Sequence, residues 1–138
     1  MKKLFILVLL FLLAVLTAGS VYAQDIMIKA DIPFAFTVGD KTFLPGAYKA
    51  ERPWNTSFVF LRGSEKLRAI AMSHGVGGGP NQNVEPKLVF RRYGEQYFLA
   101  QVWMGAGNAV GREIPKSSKE RQVARNTFGP ELIFIAAK

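Results

Sequence analysis

The chain has 138 residues, no cysteine and a formal net charge of +8. Without thiols there are no disulfides, no lipid attachment through cysteine, no thiolate nucleophile and no cysteine-based zinc site. The excess of Lys and Arg favours an anionic neighbour such as a lipid headgroup layer, an acidic polymer or an acidic protein.

Met1–Ala23 reads as an export signal. Lys2 and Lys3 make a positive start, Leu4–Leu16 is unbroken apolar sequence, and Val21-Tyr22-Ala23 suits cleavage before Gln24. A membrane-spanning helix needs ~20 apolar residues, and Thr17, Gly19 and Ser20 interrupt this run too early. Cleavage leaves no stable transmembrane anchor. Residues 24–138 are then one β-rich domain in a periplasm or outside the cell, long enough to be held by its core alone. Export also argues against nucleic acid as the partner.

Residues 26–38 place Ile26, Ile28, Ala30, Ile32, Phe34, Phe36 and Val38 at every second position, which predicts a strand with one buried face. Pro33 cannot donate to a ladder, so the strand lies at an edge, bends or breaks there. Gly39-Asp40-Lys41 predicts a turn, with extended structure resuming over Thr42–Leu44. Leu44-Pro45-Gly46-Ala47-Tyr48 carries a type II signature, with positive φ at Gly46. Tyr48–Arg52 follows as a short strand stopped by Pro53. Thr56–Leu61 is apolar at both parities and is expected to be covered on both faces. Gly63-Ser64-Glu65 turns it into a hairpin with Leu67–Ser73.

His74–Pro86 is rich in Gly and Asn and predicts a loop. Lys87–Arg91 and Gln96–Met104 predict a hairpin around Arg92-Tyr93-Gly94-Glu95, and Gly105–Gly111 a second loop. Ser117-Ser118-Lys119-Glu120 fits a capping box, in which a hydroxyl closes the first amides while Glu120 reaches back, opening a helix from about Ser118 to Arg125. Phe128-Gly129-Pro130 ends that element, and Glu131–Ala137 reads as a last strand. The pattern is mainly β: a small antiparallel barrel or sandwich of seven to eight strands with one short C-terminal helix. Pairing of the last strand with the first would close a barrel and remove its edges.

No constellation names a chemistry. His74 is the sole histidine, and Ser73 beside it in the chain would normally point the other way, so no Ser-His dyad is built. Gly75-Val76-Gly77-Gly78-Gly79-Pro80 lacks the Gly-Lys-Ser/Thr ending of a phosphate loop and reads as a connector. The acidic residues Asp25, Asp31, Asp40, Glu51, Glu65, Glu85, Glu95, Glu113, Glu120 and Glu131 are scattered and form no calcium loop. No catalytic, cofactor or metal residue is assigned. Arg112, Lys116, Lys119, Arg121 and Arg125, in the densest charged segment, are the candidate anion contacts; the mixture of signs there suggests internal ion pairing as much as anion capture, and the plainer reading is a solvated helix face packed through Val123. Phe34, Phe36, Phe58, Phe60, Phe90, Tyr97 and Trp103, with Phe98, are candidates for the core or for the lining of an apolar cavity.

Two stretches carry a resemblance. One is Ile32-Pro33-Phe34-Ala35-Phe36-Thr37-Val38-Gly39 followed by Leu44-Pro45-Gly46-Ala47-Tyr48. The other is Leu88-Val89-Phe90-Arg91-Arg92-Tyr93-Gly94-Glu95-Gln96-Tyr97-Phe98-Leu99 with Val102-Trp103 and then Gly111-Arg112-Glu113-Ile114-Pro115-Lys116-Ser117. Together they resemble a group of small exported β-rich proteins, common in soil bacteria, for which no activity is established. In that group the first turn usually has one more residue between its proline and glycine. The resemblance implies export and a β-rich fold, and no catalytic residue.

The sequence therefore predicts an exported, non-enzymatic binding protein of the envelope or secreted fraction. Its ligand is either an apolar small molecule held inside or an anionic polymer met outside. The alternatives are an assembly protein acting through protein–protein contacts and, third, a hydrolase using two carboxylates.

Overall fold

Ile26–Ile32 (β1) turns Ile28, Ala30 and Ile32 inward and Met27, Lys29 and Asp31 outward, as its alternation dictates. The computed structural model describes residues 1–8, 26–53, 55–64, 66–77, 84–105 and 111–138. Residues 2–8 are helical, and the expected cleavage point after Ala23 lies outside the described residues. After β1 come Phe36–Val38 (β2), Lys41–Phe43 (β3), Gly46–Arg52 (β4), Phe58–Arg62 (β5), Arg68–Met72 (β6) and His74–Val76 (β7). Lys87–Tyr93 (β8), Gln96–Trp103 (β9), Gly111–Glu113 (β10), the helix Ser118–Arg125 and Glu131–Ala136 (β11) complete the chain.

The strands form two sheets. The small one has the order β1-β4-β5-β6 and is antiparallel throughout. The large one runs β11-β8-β9-β10-β7, with β2 paired in parallel to β9 at Thr37 and Phe98 and antiparallel to β3. Ile28, Ala30, Ile32, Tyr48, Ala50, Val59, Leu61, Ala69 and Ala71 of the small sheet pack on Phe36, Phe43, Leu88, Phe90, Leu99 and Val102 of the large one. The architecture is a sandwich and not a closed barrel. The last strand pairs with β8 and lies beside β1 without a ladder, and Lys138 beyond it exchanges two backbone bonds with Lys29 at 2.8 and 2.9 Å.

Several local expectations change for physical reasons. Pro33 breaks the first strand, so β1 ends at Ile32 and β2 begins at Phe36. Gly46 has φ 158°, far from the roughly +80° of a type II turn, and opens β4 in extended form. The first segment read as a loop contributes β7, and β10 begins at the last residue of the second, because β7 and β10 pair with each other over Gly111–Val76, Arg112–Gly75 and Glu113–His74. With the short β2 and β3, these raise the count to eleven strands among the described residues. The β5–β6 hairpin forms as expected, but β5 is covered on one face only, leaving Phe58 41% exposed.

The helix lies on the outer face of the large sheet and is held there by charge. Ser117 caps it by accepting from the Glu120 amide at 3.2 Å, but the Glu120 side chain does not reach back to complete a capping box. It points into the sheet instead. Arg91 donates from Nε to Glu120 Oε1 at 2.5 Å and from Nη2 to Oε2 at 3.1 Å, and Tyr93 donates its hydroxyl to Oε1 at 3.0 Å. Arg91 Nη2 also reaches the Ile114 carbonyl at 3.0 Å, and Glu113 lies 3.8 Å from Nη1. Arg91 and Glu120 are both buried, whereas Val123 is only half-buried, so this pair and not Val123 is the main anchor.

A buried pair is worth little against a well-packed apolar replacement, but removing one partner strands the other charge. Glu120→Ala is therefore expected to lower stability by about 3–5 kcal/mol in urea unfolding, and replacing both Arg91 and Glu120 by Met to recover most of that loss.

Burial pushes the Tyr93 phenol up to about 12; its hydrogen bond to Glu120 and the carboxylate charge add to this, and Arg91 opposes it. A raised folded value means the neutral phenol is favoured in the native state. Its stabilisation is complete below pH 10, the unfolded value, and is lost as pH rises through about 12. Unfolding followed between those values is expected to show a steeper decline for the parent chain than for Tyr93→Phe.

Candidate functional site

The outer face of the small sheet is where side chains not needed for packing converge. Its register aligns basic residues from strand to strand: Lys29 opposes Lys49, Lys49 opposes Arg62, and Arg62 opposes Arg68. The two-bond exchange between Lys29 and Lys138 adds a fifth member at the β1 edge. The row Lys138-Lys29-Lys49-Arg62-Arg68 thus crosses the whole sheet, a span of roughly 19 Å at ordinary strand spacing. All five are exposed. At the β6 edge Lys41 donates to the Arg68 carbonyl at 3.4 Å, carrying the positive strip onto β3.

An open groove of about 710 Å³ lies along this row, lined among others by Lys29, Lys49, Arg62, Lys138, Asp31 and Glu51. Glu51 is engaged by Arg62 at 3.3 Å, and Asp31 is the other acid on the groove. Positive charge therefore exceeds negative charge on this wall. Beside the row on the same face stand Met27, Glu51, Phe60 and Ile70, which oppose one another in turn, and beyond them Phe58 opposes Met72. Met27, Phe58, Ile70 and Met72 are 45%, 41%, 64% and 65% exposed. The face carries a cationic band next to an apolar patch.

The residues singled out in the sequence are distributed differently. Phe36 and Phe90 are buried in the core, where Phe36 meets Phe43, Tyr48 and Phe90 at centroid distances of 5.4, 5.0 and 5.3 Å. Phe34 stacks on Tyr97 at 3.9 Å and closes against Phe90 at the core's margin. Phe98 is buried against Tyr93. Phe58 and Phe60 do not line the interior, because their parity in β5 is opposite to that of Val59 and Leu61. Trp103 is half-buried and packs on Gly111, where an added Cβ would come within 2.5 Å of the indole. Lys87 sits 5.5 Å over the same ring.

The expected anion contacts do not form one patch. Arg112 is half-buried and donates to the Ser73 hydroxyl at 3.1 Å and carbonyl at 2.7 Å; burial, then the nearby Arg52 charge, depress its pKa. Arg121 turns back on the Lys116 carbonyl and Ser118, and Lys119 donates to Thr42 at 3.4 Å. Lys116 and Arg125 are exposed near the two ends of the helix.

Catalytic geometry is not assembled around His74. Its ring lies 3.6 Å from Glu113, an acid brought opposite it by strand pairing, but the Ser73 hydroxyl donates to the Ser57 carbonyl and accepts from Arg112. Glu113 and Glu120, two acids brought near each other, both face Arg91. Among the described residues no group of three His, Asp or Glu side chains is placed to hold a metal ion. Comparison with protein-family models, curated proteins and solved structures finds no match.

Like charges set directly opposite each other on a sheet destabilise it, by roughly 0.2–1 kcal/mol per pair. Lys49 has such a neighbour on each side. Lys49→Glu is expected to raise stability by about 1 kcal/mol at low ionic strength, with the gain shrinking in about 1 M salt, as read from thermal unfolding.

Proposed function

We propose that this is an exported, non-enzymatic binding protein that engages an anionic component of the cell envelope through the outer face of its small sheet. The observation that carries the reading is the transverse row Lys138-Lys29-Lys49-Arg62-Arg68 beside an open groove. Nothing in the fold requires these side chains to line up, and their alignment works against folding. An anion laid along the row relieves the repulsion by neutralising several cations at once. An excess of one sign of charge along a groove also concentrates counter-ions and speeds their capture.

The filled space between the sheets supports this reading over that of an interior carrier. Phe36, Phe43, Tyr48 and Phe90 meet one another there in edge-on and stacked contacts. The export part rests on the charge and apolar pattern of Met1–Ala23, with cleavage before Gln24.

The test begins with the full-length gene expressed in a bacterial host. Mass spectrometry of the extracytoplasmic fraction is expected to find an N-terminus at Gln24. That protein, applied to immobilised polyglutamate, is expected to be retained at low salt and released by salt, and Lys29→Thr with Lys49→Thr to elute distinctly earlier. Flow-through of the parent chain at low salt, or an uncleaved cytoplasmic product, overturns the reading.

A further inference from the structure

We infer that the anionic partner is a membrane surface, on which the small sheet lies flat with its cations on headgroup phosphates and its apolar residues at the headgroup–acyl boundary. The inference rests on the anionic-partner reading above and adds the class of partner. A soluble polyanion leaves part of this face unexplained. Charge alone accounts for Lys29, Lys49, Arg62, Arg68 and Lys138, but not for the apolar residues beside them. Met27, Phe58, Ile70 and Met72 are all substantially exposed on the same face.

Their placement is ordered. The residues two positions along each strand from the cationic row are Met27, Glu51, Phe60 and Ile70, and the next pair is Phe58 and Met72. Apolar surface thus widens across β5 and β6, directly beside the cations. Interfacial binding grows with buried apolar area together with attraction to anionic lipid, and this face supplies both on one plane. A polymer chain in water would leave Ile70 and Met72 solvated. A second copy docked through the same face would bring two cationic rows together, so self-association there is opposed by charge.

The experiment uses the protein recovered from the extracytoplasmic fraction, so that the N-terminal apolar segment does not confuse the result. Co-sedimentation is measured with vesicles of phosphatidylglycerol in phosphatidylcholine, with vesicles of phosphatidylcholine alone, and in parallel on polyglutamate resin. Binding to the anionic vesicles is expected to exceed that to the zwitterionic ones by about tenfold or more at about 0.1 M salt. Ile70→Thr with Met72→Thr is expected to weaken vesicle binding by about fivefold or more while leaving retention on polyglutamate unchanged. Lys29→Thr with Lys49→Thr is expected to reduce both. Phe58→Thr supplies a second apolar variant on the neighbouring strand, and circular dichroism confirms folding of each.

Retention on polyglutamate without vesicle binding overturns the membrane inference and leaves the anionic-partner reading standing. The same holds if vesicle binding is indifferent to both apolar variants. Failure of the parent chain to bind either support overturns both.

Discussion

Register in the small sheet is the constraint on which everything else depends. Burial of Ile28, Ala50, Leu61 and Ala69 settles which side chains face inward, because neighbours along a strand alternate between faces. Burial does not settle which outward residues become lateral neighbours. A slip of two positions keeps every apolar residue inside yet would set Lys29 against Ala47 or Glu51 instead of Lys49. That alternative is electrostatically better, and the protein does not adopt it. The adopted alignment continues the cationic row through β5 and β6, and on the other side through the Lys29–Lys138 backbone exchange.

The large sheet solves a different problem. Its outer face would be bare without the helix, and the helix is too short and too charged to dock by apolar contact. Arg91 and Glu120 provide the attachment, with Tyr93, Ile114 and Glu113 satisfying the remaining valences. This explains why the Arg91-Arg92-Tyr93 and Gly111–Ser117 stretches occur in one chain: they are two halves of one buried network. Gly111 admits Trp103, Arg112 ties to Ser73, Ile114 offers its carbonyl to Arg91, and Ser117 caps the helix that carries Glu120. The most distinctive sequence in the protein is accounted for by architecture, which turns attention for function to the other sheet.

Much of the fold was legible in local pattern. Alternation located β1 and β6, an apolar run located β5, the hairpin pattern located β8 and β9, Pro33 marked the break before β2, and Ser117 marked the helix start. What escaped was information that exists only between distant segments. β7 and β10 have no periodicity and become strands by pairing with each other. Glu120 looked like half of a capping box because its partner Arg91 lies 29 residues away in the chain. The basic row was invisible for the same reason. Each member is an ordinary polar residue at an outward position, and only the joint register of four strands and the chain beyond β11 makes them neighbours. Dense charge, as between Arg112 and Arg125, was the more conspicuous signal and the less informative one for anion binding, since Arg112 and Arg121 are occupied with internal hydrogen bonds.

The energetic asymmetry between the two faces of the small sheet points toward function. Inside, the small residues Ala30, Ala50, Ala69 and Ala71 let the sheets approach closely, and the larger rings come from Tyr48 and the large sheet. Outside, the same strands expose Phe58, Ile70 and Met72 and oppose cation to cation. Both features lower stability or solubility, and neither is required by the interior. A domain with a net stability of only about 5–15 kcal/mol carries such features at a real cost. Sites built for binding are where local rules are broken in this way, because groups arranged for a partner are left unsatisfied until it arrives. An anionic layer would satisfy both at once, taking up the charge of the row and the apolar side chains beside it.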